Sequence, residues 1–133
     1  MTTCTPVKTT CPYCGVGCGV EATRLPDGAI RIAGDIAHPA NQGKLCVKGS
    51  ALGDTLDLEN RLLQPQVRVD GVLQPSSWDA ALDQVAGGLR AIIDKHSPDA
   101  VALYVSGQLL TEDYYIANKF MKGYVGSANI DTN

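Results

Sequence analysis

The sequence predicts a chain that passes from α+β to α/β, with a small β-rich subdomain over residues 1–63 and the beginning of an α/β layered domain over 64–133. Three observations predict it. Cys11-Pro12-Tyr13-Cys14-Gly15-Val16-Gly17-Cys18 is a tight loop followed by short β-type runs. From Trp78 onward, apolar residues recur at helical period, and an almost unbroken apolar run, residues 100–105, comes next. A second helical segment opens at Thr111, so the order is helix, strand, helix, as in α/β layers.

Residues 1–8 read as a flexible lead-in. In the loop that follows, three cysteines lie within eight residues. No regular element turns all three inward, but Pro12 fixes one φ while Gly15 and Gly17 free others, so a tight loop does. A fourth thiol, Cys46, comes from a distance. Three clustered thiolates plus a remote one suit a cubane iron–sulfur site, whose metal keeps the sulfurs deprotonated. Four cysteines also suit a structural zinc module, although zinc ligands usually arrive as two separated pairs. Cys4, in a polar Thr/Pro stretch, reads as the unliganded fifth thiol.

Beyond the loop, residues 19–24 and 29–33 form a hairpin around Pro26-Asp27-Gly28. Residues 35–44, with Pro39, Asn41 and Gly43, are an irregular return that carries Cys46 back to the other thiols. So short a β-rich unit buries little apolar surface and draws much of its stability from metal. Lys48, two positions after Cys46, is a cation placed to meet a sulfur or a neighbouring anionic cofactor. Residues 50–62 read as a short helix with Leu52, Leu56 and Leu62 as contacts, and Asp54, Asp57 and Glu59 as its solvated face. Asp70-Gly71 between Val67-Arg68-Val69 and Val72-Leu73 is a second hairpin signal.

The clearest helix follows. Ser76 or Ser77 caps it, and Trp78, Ala81, Leu82, Val85, Leu89, Ile92 and Ile93 share one face. Gly87-Gly88 costs about 1 kcal/mol each relative to alanine, which close approach to a neighbour would explain. His96 sits where its charge suits the helix C-terminus, and His38 lies in a loop without metal-binding spacing. Ser97-Pro98-Asp99 ends the helix, and the apolar run 100–105 is a strand covered on both sides, as in a parallel sheet. Ser106-Gly107-Gln108 then falls at its C-terminal end, where open α/β sheets bind ligands. Thr111 caps a helix with Glu112 and Asp113 in its first turn, running to Lys122 before Gly123, and residues 124–133 approach another strand.

Composition sets the outer limits. With 133 residues, 44% of them hydrophobic, and a net charge of −3, the chain suits a globular protein. Residues 1–50 carry a balance of +2 and residues 51–133 one of −5; the basic excess suits an anionic cluster but is too small for nucleic acid. No apolar run approaches bilayer length, and no secretory or twin-arginine signal is read, so reduced thiols in the cytoplasm are expected. Gly15-Val16-Gly17-Cys18-Gly19 has the wrong spacing for a dinucleotide loop, and no Ser/His/Asp or Cys/His arrangement has positive support.

Cys11, Cys14, Cys18 and Cys46, followed by Lys48-Gly49, resemble the N-terminal iron–sulfur segment of the molybdopterin-guanine-dinucleotide oxidoreductase superfamily. Ser106-Gly107-Gln108-Leu109-Leu110-Thr111-Glu112-Asp113-Tyr114-Tyr115, with Asn118 to Gly123 and Asn129 to Asn133, resembles the large subunit of its bacterial assimilatory nitrate reductases. The resemblance implies that the four cysteines hold a [4Fe–4S] cluster and that Lys48 lies between this cluster and a molybdenum bis(molybdopterin guanine dinucleotide). It implies that the Gly107-Gln108 loop lies near cofactor or substrate funnel. It implies nitrate as substrate of the whole enzyme, an electron-donor protein or flavin subunit as partner, and an N-terminal fragment without the molybdenum ligand. It implies, too, that no catalytic residue falls within residues 1–133. Formate dehydrogenase is the related alternative.

Overall fold

A computed structural model describes residues 5–59 and 61–133. Contacts divide the chain into two units: one runs through Asp57 and takes in Gly107–Tyr114, the other joins Leu58–Ser106 to Tyr115–Asn133.

In the first unit, β1 (Val7–Thr10), β2 (Gly19–Arg24) and β3 (Ile30–Gly34) form an antiparallel sheet in that order. The expected β2–β3 hairpin is present, with Val20 opposite Gly34 and Arg24 opposite Ile30. Its turn works as the residues require: Gly28 takes φ +90°, and Asp27 Oδ1 accepts the Ala29 N–H at 3.0 Å. β1 corrects the reading of residues 1–8 as a lead-in, because Val7 pairs with Ala22 and Lys8 with Glu21. A four-residue run has too little pattern to announce a strand, and only the open edge of β2 recruits it. Residues 1–4, and the reading of Cys4 with them, lie outside the described residues.

The buried core of this unit is Cys11, Val20 and Leu52, with Tyr13, Cys18, Ile32 and Leu45 packed against it. Full burial of Val20 contributes about 2 kcal/mol, and little else is comparably enclosed. The irregular return is as expected. Gly43 takes φ +80° and its N–H donates to Asp35 O at 2.9 Å. After it comes α1 (Val47–Ser50), then a 3-10 turn at Leu52–Thr55. The expected helix over 50–62 is therefore corrected: helical backbone starts earlier and ends at Thr55. Leu52 is buried, whereas Leu56 and Leu62 are exposed, so no common apolar face continues the helix.

In the second unit, β4 (Gln66–Val69) and β5 (Val72–Pro75) form the expected hairpin. Asp70 and Gly71 both adopt positive φ, +49° and +83°, as a primed two-residue turn demands. α2 (Trp78–Lys95) is capped by Ser77, whose hydroxyl accepts the Ala80 N–H at 3.2 Å, a contact worth about 1 kcal/mol. Of its apolar stripe, Leu89 and Ile93 pack on the core of Val101, Met121 and Val125. Trp78, Leu82 and Val85 stay exposed. No neighbour comes within 4 Å of a Cβ built on Gly87 or Gly88, so close approach does not explain that pair among the described residues.

β6 (Leu103–Val105) pairs in parallel with β7 (Ile130–Thr132), Leu103 opposite Ile130, as the apolar run suggested. The strand is shorter than residues 100–105, and residues Pro98–Ala100 form a 3-10 turn instead. It is not covered on both sides, since Tyr104 is 72% exposed. α3 (Thr111–Lys119) is closed at its start by Asp113, whose Oδ2 accepts the Leu110 N–H at 3.1 Å. Leu110 thus takes the cap position expected for Thr111, while Asp113 reaches back as in half a capping box. The helix does not stop before Gly123. It widens into a π turn at Phe120–Val125, which turns both Met121 and Val125 into the core, and ends at Gly126 with φ +83°.

Candidate metal centre

β1 and β2 bracket the cysteine loop. The Cys11 N–H donates to Cys18 O at 2.8 Å, so the loop is the closed connection of a hairpin, and Gly17, at φ +68°, turns the chain within it. Cys11 is buried, Cys14 and Cys18 are half-buried, and Cys46 is exposed at the start of α1. All four are free thiols.

Asn41 joins the two cysteine-bearing stretches. Its Oδ1 accepts the Gly19 N–H at 2.8 Å, and its Nδ2 donates to Gly19 O and Lys44 O, each at 3.0 Å. Sequence reading treated Asn41 only as a loop former; its two bonds to Gly19, 22 residues away, have no signature in neighbouring residues. Gly19 also lies under the His38 ring, whose carbons occupy the space of a Cβ. His38 is therefore a packing residue. The Gly107–Tyr114 segment belongs to the same unit as the loop: a Cβ on Gly15 would lie 3.1 Å from Thr111 Oγ1.

Burial and charge act differently on two of these thiols. The Cys18 thiol is pushed above its ordinary range, first by desolvation and then by the charges of Cys11, Cys14 and Cys46. Cys46 is lowered, first by the backbone N–H of Gly49 and next by that of Lys48, with the Lys48 charge a smaller influence. These dipoles act without a closed side-chain capping bond at Cys46. Four thiolates in one another's field repel, and a multiply charged cation relieves that repulsion.

Residues 5–57 match the molybdopterin oxidoreductase Fe4S4 domain, and residues 61–133 match molybdopterin oxidoreductase. The chain belongs to the molybdopterin oxidoreductase family. A nitrate reductase of Klebsiella oxytoca is 60% identical over 97% of this chain and 14% of its own length. The periplasmic nitrate reductase of Desulfovibrio desulfuricans is 47% identical over 96% of this chain and 17% of its own. An F420-dependent formate dehydrogenase alpha subunit of Methanococcus maripaludis is 36% identical over 94% and 18%. Acetylene hydratase from Pelobacter acetylenicus superposes with a TM-score of 0.72 at 28% identity, over 94% of this chain and 18% of that one. The chain thus spans less than a fifth of these relatives.

The donor set fits the cluster that this family's Fe4S4 domain implies. Among the described residues, no group of three or more His, Cys, Asp or Glu is arranged to hold one metal ion. Zinc would draw its sulfurs to about 2.3 Å from a single centre. A cubane has four irons, each able to take one thiolate, so four cysteines match its corners in number and in kind. Lys48 is exposed on α1, with its backbone N–H directed at Cys46. No helix among the described residues is long and apolar enough to cross a membrane.

One ion-pair network braces the sheet beside this centre. Lys8 Nζ lies 2.9 Å from Asp35 Oδ1 and 3.3 Å from Glu21 Oε1, tying β1 to the end of β3. The Lys8 hydrogen bond, then the Ala37 N–H, hold the Asp35 carboxyl below its usual range. A lowered carboxyl stabilises the fold at pH above its unfolded value, about 3.9, and that contribution disappears as pH falls through the folded value. Acidification below about pH 4 is therefore expected to lower the urea midpoint of this unit. Asp35→Asn should flatten that acid limb, and limbs of equal slope in both proteins would refute the assignment.

Proposed function

We propose that Cys11, Cys14, Cys18 and Cys46 ligate a [4Fe–4S] cluster in a subdomain spanning residues 1–63, with residues 64–133 opening the molybdopterin-oxidoreductase domain. The whole protein is then a molybdenum-dependent nitrate reductase that reduces nitrate to nitrite. The observation that carries this reading is the 60% identity to the Klebsiella oxytoca nitrate reductase across nearly the whole chain, against 36% for the formate dehydrogenase subunit.

A bound cluster supplies one-electron transfer. Because all four of its corners have a protein sulfur, this segment conducts electrons and leaves substrate chemistry to the molybdenum cofactor held elsewhere. Nitrate takes up two electrons and two protons to give nitrite and water, so the relay acts twice per turnover. The thiolates would hold the irons, the Gly49 and Lys48 N–H groups offset charge on the Cys46 sulfur, and the Lys48 ammonium would supply a positive charge between the cluster and the anionic pterin cofactor. The electron donor is a protein or a flavin subunit, and the site of action is the cytoplasm; nucleic acid and membrane are not partners.

Reduced viologen tests the activity. The full-length protein is expected to yield nitrite from nitrate, and formate oxidation without nitrate reduction would overturn the assignment in favour of a formate dehydrogenase.

A further inference from the structure

We propose that Asn41 is a positioning residue for the metal centre: its amide sets the spacing between the Cys18 and Cys46 sulfurs. This rests on the reading of the four thiols as cluster ligands. Gly19 directly follows Cys18, and Lys44 lies two residues before Cys46, a stretch that spans at most roughly 7 Å of backbone. The Asn41 side chain bonds both polar groups of Gly19 and the Lys44 carbonyl, at 2.8, 3.0 and 3.0 Å. Its one oxygen and both N–H donors are all engaged, so the amide has a single orientation. Swapping oxygen and nitrogen would turn N–H toward N–H and oxygen toward two carbonyls.

The clamp therefore crosses between the two cysteine-bearing stretches at their bases. An aspartate there keeps the shape and accepts from the Gly19 N–H, but it presents a carboxylate oxygen to the Gly19 and Lys44 carbonyls. It therefore loses both donations, the one to the Gly19 carbonyl and the one to the Lys44 carbonyl before Cys46. By contrast, Lys8 braces the same sheet through Glu21 and Asp35 without touching either stretch at the cysteines.

Wild type, Asn41→Ala, Asn41→Asp and Lys8→Met are reconstituted without oxygen using ferrous iron and sulfide. Iron loss to a chelator and the paramagnetic g-values of the reduced protein are then measured. Both Asn41 variants are expected to lose iron about 10–100-fold faster than wild type, as is typical when groups orienting metal ligands are removed. Their g-values should shift, while Lys8→Met keeps the wild-type spectrum. A wild type that takes up no iron would defeat the cluster reading itself. If wild type loads, the Asn41 inference alone is overturned when its variants lose iron no faster than Lys8→Met, or faster but with an unchanged spectrum. Should Asn41→Ala fail to fold, the isosteric Asn41→Asp decides; loss of fold there as well would make Asn41 a fold residue and overturn the proposal.

Discussion

Cys14→Ser and Cys46→Ser are each expected to abolish loading of an intact four-iron cluster under anaerobic reconstitution. A serine hydroxyl does not ionise near neutral pH, so the variant offers no anionic donor at its corner of the cage. The two positions test different halves of the centre. Cys14 comes from the hairpin connection, and Cys46 from the start of α1, where backbone N–H groups of Gly49 and Lys48 already favour the thiolate. Iron and sulfide per chain, the broad brown absorption and the reduced-state paramagnetic signal should all collapse together. Cys4→Ser should leave them unchanged, because Cys4 is read as the spare thiol. Normal loading in either ligand variant, or loss of loading in Cys4→Ser, would show that the quartet is wrongly chosen. A colourless product with one zinc per chain would restore the structural zinc alternative.

Gly34→Ala is expected to destabilise the first unit by about 3 kcal/mol, at the upper end of typical overpacking costs. A methyl group at Gly34 would fall on the Gly43 carbonyl, and every nearest atom belongs to backbone. No side chain is there to rotate away. The strand cannot simply retreat, since Gly34 stands opposite Val20 and the next residue donates from Asp35 N to Gly19 O at 3.0 Å. Retreat would shift Gly19, and with it the clamp to Lys44. Gly28→Ala provides the contrast: φ is +90° but the space around it is open, so only the backbone strain applies, about 1 kcal/mol. Denaturant midpoints of the two variants should therefore fall in the order Gly28→Ala above Gly34→Ala. An equal loss in both would mean that the two backbones are not pressed together as described.

Much of this protein is written in adjacent residues. Pro26-Asp27-Gly28 and Asp70-Gly71 encode their turns because the required φ values belong to those residues. The α2 stripe repeats at the helical period, and Ser77 stands where a cap is needed. The cysteine spacing is likewise local, and the proposed metal centre is read from it. Tertiary structure decided the rest. Pairing of β1 with β2, the Asn41 bonds to Gly19, the seating of Gly34 on Gly43 and the presence of Gly107–Tyr114 in the cysteine unit all join residues beyond the reach of one turn of chain. Backbone hydrogen-bond complementarity and close approach select such partners only once the chain has closed on itself, so no short window of sequence carries their mark.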